Sequence, residues 1–142
     1  MDGVELTPLK KIYNPKGIIL HALKKSDNGF VDFGEAYFST ITQNEIKGWK
    51  KHTLMTLNLI VPIGEIEFAV YNEIEDNFFN IQLSQSNYKR LTISPGLWVS
   101  FRGIKSENIL LNIASIEHDS QESVDMEIDK LPFNWGSNDD QK

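Results

Sequence analysis

Leu57-Asn58-Leu59-Ile60-Val61-Pro62-Ile63-Gly64-Glu65-Ile66-Glu67-Phe68-Ala69-Val70-Tyr71 is the stretch on which the fold turns. Leu57 to Val61 is a short apolar run, the pattern of a strand buried on both faces. Pro62-Ile63-Gly64 then reads as a turn. Beyond it, Ile66, Phe68 and Val70 alternate with Glu65, Glu67 and Ala69, a period of two that suits a strand with one face in a core.

The same grammar continues outward in both directions. Upstream, Asn14-Pro15-Lys16-Gly17 is a turn signal ahead of Ile18-Ile19-Leu20, and Gly34 to Ile41 is rich in aromatic and β-branched residues. Downstream, Phe78 to Leu83, Arg90 to Ile93, Leu97 to Phe101 and Ile109 to Ile116 read as strands, punctuated by Pro95-Gly96 and Arg102-Gly103. No long segment carries a helical period. Asn44 to Lys50 resembles a helical turn, but Gly48 and the β-rich run after it favour a strand. Regular short strands between turn signals specify an all-β sandwich or barrel. Residues 1–135 read as a single domain and residues 136–142 as a disordered acidic tail. Within the acidic stretch from Ser120, only Leu131-Pro132-Phe133-Asn134-Trp135 carries the apolar bulk to dock.

Composition narrows the function classes. The 142 residues are long enough for one real core, and 40% hydrophobic with 24% charged residues is ordinary for a globular chain. No apolar run approaches the roughly 20 residues of a membrane span. The N-terminus lacks the basic and apolar regions of a signal peptide, so the expected location is the cytoplasm. Cysteine is absent, which excludes disulfides and thiolate catalysis. A net charge of −6 argues against a nucleic-acid partner. Lys47, Lys50 and Lys51 nevertheless form a local basic cluster that would suit a small anionic ligand.

The stretch Ile46-Lys47-Gly48-Trp49-Lys50-Lys51-His52 carries the chemistry. If it is extended, Gly48, Lys50 and His52 share one face while Trp49 and Lys51 share the other. An ammonium beside an imidazole favours the neutral, base-competent ring. The same pattern also fits a solvated edge with His52 on the surface, and periodicity alone leaves both readings open. His21, His52 and His118 are the only histidines, none in a metal-ligand spacing, so neither metal nor cofactor is expected. Walker, dinucleotide-binding and nucleophile-elbow motifs are also absent. Trp98, after the Pro95-Gly96 turn, reads either as a core residue or as a flat face for a sugar or base at a barrel mouth. Tyr37, Tyr71 and Asn112 are polar-tipped residues within expected strands, each also readable as a satisfied core or rim group.

Across roughly Tyr13 to Trp135 the chain resembles the dTDP-4-dehydrorhamnose epimerases, the RmlC-like cupins. Asn14-Pro15-Lys16-Gly17 resembles their Asp-x-Arg-Gly turn, and Ile46-Lys47-Gly48-Trp49 the Leu-Arg-Gly-Leu strand that leads to the catalytic histidine. Gly64 to Val70 resembles their Gly-Glu-Val-Phe-Asp-Val-Ala-Val strand. Asn87 to Phe101 resembles their Asn-Lys-Arg-x-Leu-x-Ile-Pro-x-Gly-Phe-Ala-His-Gly-Phe segment, and Leu131 to Trp135 the late Ile-x-Trp. The chain departs from them where the family histidine would fall, which is Lys50, with an imidazole two residues later at His52. The family's second histidine falls at Val99, its tyrosine near Asn112, and its next-strand lysine has no counterpart.

The resemblance implies an RmlC-like jelly roll and a homodimer. It also implies proton abstraction beside the ketone of a 4-keto-6-deoxy sugar nucleotide, in cell-surface polysaccharide synthesis. His52 would be the base, Lys50 the enolate stabiliser, and Tyr37 or Tyr71 the group that returns the proton. Lys16, Lys47 and Arg90 would hold the diphosphate, with His21, Trp98 and Asn112 as further substrate contacts. The missing family residues leave open a second hypothesis, a non-catalytic cupin that binds a sugar nucleotide or glycan or partners another enzyme.

Overall fold

Short runs of β-branched and aromatic residues, several of them ended by Gly, Pro or Asn, favour strands paired across the sequence. The computed structural model describes residues 1–135, and the tail expected over 136–142 lies outside the described residues. The strands are β1 (Val4–Pro8), β2 (Lys11–Asn14), β3 (Gly17–Leu20), β4 (Glu35–Thr40), β5 (Ile46–His52) and β6 (Leu57–Ile63). They continue with β7 (Glu65–Asn72), β8 (Asn77–Ser84), β9 (Lys89–Ile93), β10 (Trp98–Gly103), β11 (Ile109–Ala114) and β12 (Ser123–Asp125). A single 3-10 turn, Ile128–Lys130, is the only helical element among the described residues, so no helix there is long and apolar enough to cross a membrane.

Two five-stranded antiparallel sheets face each other, in the orders β1-β9-β6-β11-β4 and β12-β5-β10-β7-β8, and β2 and β3 form a separate hairpin. The all-β jelly roll expected from the sequence is the fold observed. Its main core fills the space between the sheets with Leu57, Leu59 and Val61 of β6, Ile66, Phe68 and Val70 of β7, and Leu91 and Ile93 of β9. The alternation read in β7 is therefore the alternation of core and outer face.

Three strands have weaker sequence signals. β1 ends on a proline at a sheet edge, β2 is exposed throughout, and the three-residue β12 lies in the acidic stretch, held by pairing to Lys50–His52. Pro62 is not the turn: β6 runs through it to Ile63, and the chain bends at Gly64, whose φ is +81°. Proline is tolerated there because the ladder to β9 stops at Leu59 and the ladder to β11 changes register near Ile63. A Cβ at Gly64 would lie 2.1 Å from the Glu107 carbonyl oxygen, so the bend needs glycine.

A second apolar cluster lies outside the sandwich, on the far face of the β5 sheet. Trp49, Ala69 and Trp98 are covered there by Leu131, Phe133, Trp135, Met126 and Ile128 of the C-terminal segment. The docking expected of Leu131 to Trp135 is thus against Trp49, whose ring meets that of Phe133 edge-on at 6.5 Å.

Candidate active site

Between β4 and β11 on one side and β5 on the other, the core gives way to a cavity of about 220 Å³. Its walls are largely apolar, from Leu57, Leu59, Val99, Phe101 and Leu110. Tyr37 and Ser39 enter from β4, Asn112 from β11, and Lys47, Lys50 and His52 from β5. An apolar pocket with a few convergent polar groups is the usual form of a small-molecule site. β5 is extended, and Gly48, Lys50 and His52 all reach this cavity, whereas Trp49 is buried on the opposite face. Gly48 has φ +136°, and a Cβ there would come within 2.8 Å of Ser100 on β10, so the close β5–β10 approach depends on glycine.

His52 is the most constrained polar group at the cavity. Its Nδ1 lies 2.8 Å from Glu122 Oε1, and the Glu122 side chain is only 2% exposed. The other carboxylate oxygen, Oε2, accepts from the backbone N–H groups of Leu54 and Met55 at 2.9 and 2.8 Å. Burial pushes the Glu122 carboxyl up, but the bonds from His52, Leu54 and Met55 outweigh it and leave the group below its ordinary value. An ionised carboxylate can only accept, so it fixes the proton of a neutral imidazole on Nδ1 and leaves the Nε2 lone pair free. That is the electronic state of a general base.

The two cavity lysines are held at its rim. Lys50 Nζ pairs with Asp125 Oδ1 at 3.1 Å, and Lys47 Nζ donates to the Thr40 carbonyl at 2.9 Å. The charged partner of His52 is therefore Glu122, not Lys50 as the sequence alone suggested. On the facing wall, Asn112 Nδ2 donates to the Tyr37 hydroxyl oxygen at 2.8 Å.

Other candidates lie elsewhere. Tyr71 is on the outer face of β7 and donates its hydroxyl to Asp76 at 2.8 Å, a bond that pushes its phenol up. Trp98 is buried in the outer cluster, donates to Glu73 at 3.2 Å, and has the Lys51 ammonium 5.0 Å above its ring. The strand period puts both side chains on the face away from the cavity, as it does Trp49. Arg90 is fully buried behind the first sheet, donating to Asn58, the Ala22 carbonyl and Asp27, and so ties the 21–33 loop to β9. His21 borders a separate polar cleft beside that loop, and Lys16 lies in the exposed β2–β3 turn. Among the described residues, no three His, Cys, Asp or Glu side chains gather as a metal-binding group.

Glu122 is the site residue that sequence reading missed. It lies 70 positions from His52, in a stretch read as acidic tail, and only the pairing of β12 with β5 brings the two together.

No protein-family model and no curated protein matches the chain. Solved structures do. A dTDP sugar isomerase from Desulfovibrio desulfuricans is 31% identical, with 96% of this chain and 93% of that one covered at a TM-score of 0.90. The chain belongs to the dTDP sugar isomerase family. The QdtA 3,4-ketoisomerase of Thermoanaerobacterium thermosaccharolyticum, solved with TDP-4-keto-6-deoxyglucose, shares 22% identity over 87% of this chain and 88% of that one, at a TM-score of 0.77. The 4-keto-6-deoxy sugar epimerase NovW of Streptomyces spheroides shares 14% identity over 96% and 76%, at a TM-score of 0.84. These two share the fold of this chain. Within that family setting, the Glu122–His52 pair at the cavity is the feature with evident chemistry.

Proposed function

We propose that the protein is a sugar-nucleotide isomerase or epimerase that works by removing a proton beside the ketone of a 4-keto-6-deoxy sugar. The observation that carries this reading is the Nδ1-anchored His52, whose free nitrogen is available at an apolar cavity. His52 Nε2 takes the C–H proton, and the ketone oxygen becomes an enolate. Tyr37, on the opposing sheet, then supplies its proton to that oxygen from the other side of the cavity. Lys50 stabilises the enolate once its rim pair with Asp125 opens.

At about 220 Å³ the cavity is smaller than the roughly 300–1,000 Å³ usual for a drug-sized ligand, so it suits the sugar ring alone. The nucleotide then lies at the mouth, where a wider groove runs past Lys50 and Asp125 to Ile128. With Lys50 committed to the enolate, Lys47 is the cavity cation offered to a diphosphate there. We place the enzyme in the cytoplasm as a homodimer. The β2–β3 hairpin supports the second chain, because Ile12, Tyr13, Ile18 and Ile19 are all exposed on it.

The test follows the protein by NMR with dTDP-4-keto-6-deoxyglucose in deuterated buffer, beside His52→Ala. Deuterium uptake at a carbon next to the ketone, lost in the variant with the fold intact, is the expected result. Full uptake in the variant, or binding without uptake by the native protein, would overturn the reading, the latter in favour of a binding module.

A further inference from the structure

Asn112 is out of keeping with its surroundings. It is 6% exposed on β11, with Leu59 opposite it on β6 and Leu110 two residues before it on the same face. Its Oδ1 is buried with no hydrogen-bond partner, a state that disfavours the fold. A leucine would fill the same space without an orphaned atom. What the amide does contribute is the 2.8 Å bond from Nδ2 to the hydroxyl of Tyr37, its register partner on β4. Tyr37 needs that tether, since β4 is the edge strand of its sheet and the residue is 44% exposed.

We infer that Asn112 is a positioning residue that acts through Tyr37, an inference that rests on the isomerase reading above. Because the amide donates, the phenolic oxygen is the acceptor, and the hydroxyl proton of Tyr37 is left for a ligand oxygen. In the reaction, His52 takes the C–H proton and the ketone oxygen gains negative charge. The Tyr37 O–H bond then breaks as its proton passes to that oxygen, forming the enol. The Asn112 N–H holds the phenolate that remains, a bond that strengthens as the oxygen becomes charged. Tyr37 regains its proton from the sugar hydroxyl on the neighbouring enol carbon as that oxygen becomes the new ketone. The His52 imidazolium returns its proton to the former ketone carbon, so that the C=C bond is consumed and both side chains end as they began.

The test is a double-mutant cycle with dTDP-4-keto-6-deoxyglucose, comparing the native protein, Asn112→Leu, Tyr37→Phe and the double variant by turnover and deuterium uptake. Asn112→Leu is expected to lower kcat about tenfold or more with KM changed less than about twofold, the pattern of an interaction made in the transition state. In the Tyr37→Phe background the same substitution should change nothing further, because its route of action is gone. Additive losses would overturn the inference while leaving the isomerase reading standing. A native protein that neither turns over nor exchanges would overturn both. A readout independent of substrate is the Cζ resonance of Tyr37 in 13C-tyrosine-labelled protein, which should move in Asn112→Leu and stay in place in Ser39→Ala. An unmoved resonance shows that Asn112 does not hold Tyr37, and the inference falls.

Discussion

Glu122 Oε1 accepts from His52 Nδ1 at 2.8 Å, while Glu122 Oε2 is saturated by two backbone N–H groups. The division of labour between the two oxygens makes Glu122→Gln an informative change. The glutamine oxygen is needed by Leu54 and Met55, so its NH2 must face His52 Nδ1. Nδ1 then has to accept, and the ring proton moves to Nε2, the nitrogen required as base. We expect kcat to fall about 10³- to 10⁴-fold, as when a catalytic histidine is held in the wrong tautomer, with KM little changed. Steady-state kinetics and the 15N shifts of His52 check this together. A variant with full activity, or with Nε2 still unprotonated, would show that the carboxylate does not set the tautomer.

The same pair predicts how acid acts on the fold. Burial raises the Glu122 carboxyl, but its hydrogen bonds bring it below the ordinary 4.5, so the unfolded chain takes up this proton at higher pH than the folded one. The resulting stabilisation is fully present above the unfolded value and is lost as pH falls through the folded value. The native protein should therefore exceed Glu122→Gln in unfolding free energy by about 1–3 kcal/mol at neutral pH. That margin should shrink as pH falls from neutral through the carboxylate range. Urea unfolding of both proteins across that range measures it, and a margin independent of pH would refute the assignment.

What the sequence made legible was periodicity, and what it hid was partnership. The alternation of Ile66, Phe68 and Val70 and the apolar run Leu57 to Val61 reported core and outer faces because one strand reads its own period. The same rule put Gly48, Lys50 and His52 on one side of β5, which is the cavity side. It could equally have separated Trp98 from Val99, since neighbours on a strand point to opposite sheet faces; the flat aromatic ring suggested a mouth residue that the period denies. Glu122, by contrast, has no local signal. Its role arises from a three-residue strand pairing with β5 and from two ladder-free N–H groups at Leu54 and Met55. The resemblance put Arg90 at the diphosphate as one more cation; its actual partners are Asn58 on β6 and a loop more than 60 residues away.

Gly48 sets how closely β5 approaches β10. An added Cβ would lie 2.6 Å from Ser100 Oγ and 2.8 Å from Ser100 Cα, and the backbone there is already at φ +136°. Gly48→Ala should cost about 1–3 kcal/mol as overpacking and displace Lys50 and His52 with their strand. A displacement of about 1 Å is worth roughly a hundredfold in rate. Gly17→Ala, where an added Cβ meets nothing within 4 Å, is the control and should leave turnover unchanged. Thermal melts and kcat for both variants decide it. Equal effects at the two glycines would mean that contact with Ser100 is not what matters at Gly48.

Arg90 separates a structural cation from a substrate cation. Its side chain is fully buried, with Nε on Asn58 Oδ1 at 2.9 Å and Nη1 on both the Ala22 carbonyl and Asp27. Thr92 donates to the same Asn58 oxygen, and Asn58 Nδ2 donates to the Gly29 carbonyl, so the guanidinium sits within a network that pins the loop to the sheet. Lysine cannot reproduce the planar fork. Arg90→Lys should therefore lose about 3 kcal/mol of stability, within the range for breaking a buried charged pair. It should leave KM for the sugar nucleotide unchanged at a temperature where the variant is folded. A KM raised about tenfold with an unaltered melting temperature would be the opposite pattern, that of a residue removed from substrate binding, and would return Arg90 to the diphosphate.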